Sequence, residues 1–139
     1  MAAGYAATPA ARKLGIKPGS VLLLVGAPAR WSLPYLPADV ALTRSATVPA
    51  RSDAGPDVVL AFCAEAARLA ADITGLAELI FPDAAVWIAW PRKAAGHVSD
   101  VTENLIREVA LPLGLVDNKV AAIDTDWSGL RLCWRRELR

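Results

Sequence analysis

Apolar and polar positions fall into short blocks along this chain. Residues 21–25 (VLLLV) are a continuous apolar run too short for a helix. Such a run predicts a parallel strand covered on both faces. Residues 57–62 (DVVLAF) and 85–90 (AVWIAW) predict two more of this kind, residues 40–43 a weaker one, and residues 119–124 another. Between residues 64 and 81, Ala66, Leu69, Ile73, Leu76 and Ile80 recur at steps of three and four. That spacing predicts a helix with one face on a sheet. Gly75, inside it, predicts a bend or break. Val101, Leu105, Val109 and Leu113 predict the stripe of a second long helix, closed by Pro112 and Gly114. Glu103, Arg107 and Glu108 fall on its water-facing side, and Asp100 with Glu103 has capping-box spacing. After a turn at 125–129, Leu130, Leu132 and Trp134 alternate with Arg131, Cys133 and Arg135. Alternation of that period predicts a half-exposed antiparallel strand. Near the N-terminus, Thr8 and Pro9 read as a helix cap and first helical residue, with Gly15 as the stop. Residues 31–36 suggest at most a helical turn, and residues 44–56 a loop.

Strands alternating with helices, then a terminal hairpin, predict an α/β fold with a mostly parallel sheet of about six strands and helices on both faces. The expected strand order is 2-1-3-4-6-5, with the last-numbered strand antiparallel. The 139 residues are expected to form one three-layer domain spanning 1–139.

Composition narrows the function. Charged residues are 21% of the chain and the net charge is +1, which leaves no electrostatic footprint for nucleic acid. No apolar run reaches the roughly 18 residues of a membrane span. The first residues lack a basic and then apolar leader, so a cytoplasmic protein is expected. The two cysteines, Cys63 and Cys133, are far apart and lack companion ligands. Neither a metal site nor a disulfide is expected.

In open α/β sheets ligands sit outside the carboxyl ends of the strands, at the point where the strand order reverses. Gly26, Cys63, Pro91, Arg92, Lys93 and His97 are expected there. The loop WPRKAAGHVS, residues 90–99, places Arg92, Lys93 and His97 ahead of a helix start at Ser99 and Asp100. Cations beside a helix N-terminus suit a small anion. The helix end supplies only about 0.3–1 kcal/mol, against about 8 for a micromolar ligand. Trp31 and Trp90 could stack on a flat ligand if they line one crevice. Cys63, at a helix start, is a possible reactive thiol. Trp127, at a hairpin tip, is a candidate interface residue. A dinucleotide or methyl-donor site needs a glycine-rich turn after the first strand and an acid after the second. Here those places read GAPARW, residues 26–31, and ALTRS, residues 41–45. One glycine and no acid argue against cofactor-dependent catalysis, and no catalytic residue is assigned.

Four blocks carry a resemblance: LGIKPG (14–19), WIAWPRK (87–93), GLVDNKV (114–120) and DWSGLR (126–131). Together they resemble a family of small bacterial proteins catalogued as a domain of unknown function. The antiparallel strand inserted near the end, and the lead-in to the first strand, also resemble a class I methyltransferase core shortened by one β–α unit. The resemblance implies a small stand-alone protein and no catalytic residues to carry over. The sequence therefore favours a non-enzymatic binding or interaction module that needs no cofactor, for a small anion or a protein partner, a second copy of the chain in a homodimer among them. The alternative is a degenerate S-adenosylmethionine-dependent methyltransferase-like enzyme or nucleoside-cofactor binder.

Overall fold

The computed structural model describes residues 9–53 and 55–139. Thr8, the expected cap, lies outside the described residues. Six strands, β1 (Val21–Val25), β2 (Ala41–Ser45), β3 (Val58–Phe62), β4 (Ala85–Pro91), β5 (Leu115–Ala122) and β6 (Trp127–Trp134), form one sheet. Its order is β2-β1-β3-β4-β6-β5, as the block pattern predicts. β1 pairs in parallel with β2 and β3, and β3 with β4, while β6 runs antiparallel to both β4 and β5. The helices are α1 (Ala10–Lys13), α2 (Ala66–Ile80) and α3 (Glu103–Ala110).

Side chains of a strand alternate between faces, so the continuous apolar runs feed two cores. On one face Leu23, Val25, Val59, Ala61, Val86 and Ile88 meet Leu69, Ile73, Leu76 and Ile80 of α2 and Ile106 and Ala110 of α3. On the other, Leu22, Leu24, Val58, Leu60, Phe62, Trp87 and Ala89 meet Ala11, Leu14, Ile16 and Leu33. Trp87 is wholly buried there and donates its indole N–H to the Leu14 carbonyl at 3.0 Å. Without that acceptor the buried donor would cost about 1–3 kcal/mol.

Three layers are therefore present, with the second covering layer mostly irregular. Residues 26–40 join β1 to the parallel β2 without a helix. Pro28, Pro34 and Pro37 explain this, because proline removes a helix donor and clashes with the preceding turn. The predicted turn at 31–36 is accordingly not helical. β2 has no helix over it, and Ala41, Leu42, Thr43 and Arg44 are all exposed.

Local details depart from expectation where tertiary contacts intervene. α2 runs unbroken through Gly75, and a Cβ there would meet Val48 Cγ1 at 3.1 Å. The glycine admits Val48 and does not bend the helix. The buried stripe of α3 centres on Ile106 and Ala110, with Leu105, Val109 and Leu113 at its margins. Its cap is Thr102, whose hydroxyl accepts the Leu105 N–H at 3.1 Å. Asp100 instead accepts the Ala66 N–H at 2.7 Å, at the first turn of α2. β5 starts at Leu115, earlier than the sequence suggests, because Val116 pairs with Cys133 and Leu115 with Trp134 of β6.

Candidate functional site

The parallel strands end along one rim. Phe62 lies level with Ala89 across β3 and β4, and Val25 with Ala61 across β1 and β3. β6 runs the other way, so its first residue, Trp127, reaches the same rim opposite Pro91. The strand order reverses between β1 and β3, and the crevice expected of an open sheet lies there.

The chain's own side chains enter that crevice, beside a small open space of about 200 Å³ lined by Leu24, Ala27, Arg44, Ser45 and Ala46. Gly26 has φ +67°, and a Cβ on it would lie 2.9 Å from an Arg68 guanidinium nitrogen and 3.4 Å from the Phe62 carbonyl oxygen. Arg68, from α2, donates to the Ala46 carbonyl at 2.7 Å and to the Asp72 carboxylate. The Asp72 hydrogen bond raises the Arg68 pKa, so this guanidinium stays charged. From the other face, the Trp31 ring lies 4.8 Å from that of Phe62, edge to face, and Phe62 lies 4.9 Å from Trp127 in the same manner. Trp31 donates its indole N–H to Asp124 Oδ2 at 2.9 Å. Asp124 Oδ1 accepts the N–H groups of Asp126 and Trp127 at 2.9 and 2.8 Å.

Trp90 points to the opposite face. It packs with the α2 and α3 core, whereas Trp31 packs with the other. The two tryptophans do not share a crevice, because Trp90 belongs to the alternate parity of β4. Trp127 is likewise not a projecting tip: it begins β6 and turns its ring inward onto Phe62. Cys63 is wholly buried and its thiol is pushed up to about 12. Burial is the main cause, the Asp72 carboxylate adds to it, and the Arg68 charge opposes it. A protonated, enclosed thiol is inert at neutral pH, which runs against the reactive reading.

Around the loop after β4 a second, open space appears. A cleft of about 510 Å³ is lined by Trp90, Arg92, Lys93, Thr102, Glu103 and Ser128, among others. Arg92 is also tied to the β5–β6 turn: its side chain donates to the carbonyls of Asp124 at 3.3 Å and Thr125 at 3.4 Å. Lys93 makes no side-chain hydrogen bond or ion pair among the described residues. Glu103, the acid in the lining, is held by Arg107 at 3.2 Å, and Arg107 also grips Asp117 at 2.9 Å. The Asp117 hydrogen bond raises the Arg107 pKa. The cleft thus has two cations against one acid that is already paired.

His97 does not line this cleft. Its Nε2 lies 2.9 Å from Asp126 Oδ1, and both side chains are well exposed. Ser99 is used structurally, donating to the Ala64 carbonyl at 2.6 Å and accepting the Val101 N–H at 3.1 Å. Sequence reading did not select Arg68, Thr102, Asp124, Asp126 or Ser128. The Asp-x-Asp of the 124–127 turn is a visible signal of backbone capping, and Thr102 three residues before Leu105 is a local cap; Arg68 and Ser128 come to the rim only through contacts between distant segments. Among the described residues no group of three or more His, Cys, Asp or Glu side chains could hold a metal ion. No helix among them is long and apolar enough to cross a membrane.

The sheet order and rim together specify a known architecture. The fold is Rossmann-like and methyltransferase-like. A SAM-dependent methyltransferase from Aquifex aeolicus superposes with a TM-score of 0.63 over 87% of this chain and 85% of that one, at 14% identity. The ribosomal protein L11 methylase of Lactobacillus delbrueckii subsp. bulgaricus gives 0.56 over 91% and 75%, also at 14% identity. TrmN from Thermus thermophilus gives 0.51 at 14% identity, with this chain spanning 47% of its length. By sequence, the chain matches no family model and no curated protein. The methyltransferase-like core is thus shared as a fold at low identity. Its helical layer on the Trp87 face is reduced to the four residues of α1.

Proposed function

We propose that this chain is a degenerate methyltransferase-like protein that binds an anionic ligand in the cleft beside Arg92 and Lys93, without methyl transfer. The carrying observation is the cleft itself: about 510 Å³ at the strand-end rim, with two cations, the Thr102-capped start of α3 and a neutralised acid. Phosphate and carboxylate groups match that lining.

The structural similarities, by fold alone and at 14% identity, fit a degenerate methyltransferase-like enzyme or nucleoside-cofactor binder better than a non-enzymatic module, and that is the second reading. S-adenosylmethionine would require a backbone cradle at the first-strand turn and an acid near the end of β2. Neither requirement is met by the residues present. The Gly26 cradle is filled by Arg68, and Arg44, near the end of β2, donates its guanidinium to the Trp31 carbonyl. The group does not fit, and no transfer step is derived from it.

Thermal denaturation with sulfate, phosphate, S-adenosylmethionine and S-adenosylhomocysteine separates the readings. Phosphate or sulfate should raise the melting temperature by about 2–4 °C at saturating concentration. The double variant Arg92→Ala/Lys93→Ala should lose that rise while keeping its fold. Stabilisation by S-adenosylhomocysteine but not by simple anions would replace the anion reading with the cofactor one.

A further inference from the structure

We propose that residues 26–40 are an internal strap whose Trp31 is the built-in occupant of the switch-point crevice. A planar heteroaromatic molecule bearing an N–H donor can then enter only by displacing that indole. This site lies on the opposite face from the Arg92 cleft, and variants at Trp31 leave Arg92 and Lys93 in place, so failure of one proposal is distinguishable from failure of the other.

The contacts of Trp31 are those a bound ring would make. One edge-on partner, Phe62, lies 4.8 Å away and is itself braced by Trp127 at 4.9 Å. One carboxylate, Asp124, receives the ring N–H at 2.9 Å. Asp124 is oriented for that role by two backbone N–H groups on its other oxygen. A crevice end that other open sheets leave for a ligand is here completed by a residue of the chain's own loop.

The strap is lightly docked. Of residues 26–40 only Leu33 is buried, while Trp31, Leu36 and Val40 are half-buried and Tyr35 is 82% exposed. Arg30, Tyr35 and Asp39 have φ of 66°, 57° and 59°, and they are the only non-glycine residues in the left-handed region among those described. Such positions are held by surrounding contacts against local backbone preference. Releasing the indole removes one of the contacts that hold them, beside buried Leu33 and the Gly19 N–H donated to the Ala38 carbonyl.

Indole is the probe. In Trp31→Ala, indole at about ten times its Kd should raise the melting temperature by about 4 °C. It should leave the unaltered protein and Trp31→Phe unmoved, because their crevice is still filled. 1-Methylindole, which lacks the N–H, should bind Trp31→Ala at least about threefold more weakly than indole. If Trp31→Ala shows no cooperative transition, Trp31→Leu carries the same comparison. Equal shifts in all variants, or none in any, would overturn the strap as an internal occupant. Equal binding of indole and 1-methylindole would overturn the role of Asp124.

Discussion

Cys63 shows how one residue's chemistry is decided by what surrounds it. It stands between β3 and α2, where a helix start would favour the thiolate, yet it is wholly enclosed. Burial takes its pKa from 9.0 to about 12. An acid whose folded pKa is raised keeps its proton where the unfolded chain has lost it. Its stabilising contribution is complete below about pH 9 and is lost as pH rises toward about 12, by up to about 1.4 kcal/mol per pH unit. The urea midpoint of the unaltered protein should therefore fall more steeply than that of Cys63→Ala above about pH 9. Parallel pH profiles would show that the thiol is not linked to folding. Iodoacetamide should leave native Cys63 unmodified at neutral pH, since it is the thiolate that reacts. Gly129 is a second residue whose role only its neighbours reveal. A Cβ there would lie 2.9 Å from Ile123 Cδ1 and 3.0 Å from Trp87 Cε3, so β6 crosses closely over the largest buried ring.

At the scale of elements, the starts of α2 and α3 are linked. Asp100 caps α2 from a segment 34 positions away, while Thr102 caps α3 locally. Loss of either side chain should cost about 1 kcal/mol in urea unfolding. Hydrogen exchange tells them apart. Asp100→Ala should speed exchange in the first turn of α2, and Thr102→Ala in that of α3. Faster exchange in α3 upon Asp100→Ala would mean that the aspartate serves its own helix after all. The capping-box spacing of Asp100 and Glu103 was legible in the chain, but its reading was local. The actual donor, the Ala66 N–H, becomes a neighbour only once both helices lie on the same face of the sheet. By contrast, β1 and β3 were legible almost to the residue, because a strand buried on both faces leaves an uninterrupted apolar run bounded by turns.

For the whole molecule, the two apolar layers are joined by shared strands. Leu22 and Leu24 serve one layer and Leu23 and Val25 the other, and β3 and β4 divide in the same way. Neither layer can open without disturbing the backbone of the other. We propose that the described residues unfold as one cooperative unit. Trp31, Trp87 and Trp127 report on one layer, and Trp90 and Trp134 on the other. Urea midpoints from tryptophan fluorescence and far-ultraviolet circular dichroism should then coincide. Separated midpoints would divide the chain into two units. The rim belongs to this scale too, because only parallel alignment of three strands, with β6 returning against them, brings Gly26, Phe62, Pro91 and Trp127 to one edge.

What the chain determined alone is the sheet: its strand order, its reversed final strand and its strand positions apart from the start of β5. Those follow from local periodicity and from the few ways in which twisted strands and short connections can be packed. The contents of the rim were decided by tertiary structure. Gly26 is expected at the rim, but that the Arg68 guanidinium packs against it depends on where the first turn of α2 lies. Trp31 and Trp90 looked equivalent in the sequence, and side-chain parity in β4 sent them to opposite faces. His97 acquired Asp126 as its partner across a turn distant in sequence. Periodicity encodes which face of an element is buried; which side chains then meet at a site depends on how the elements are stacked.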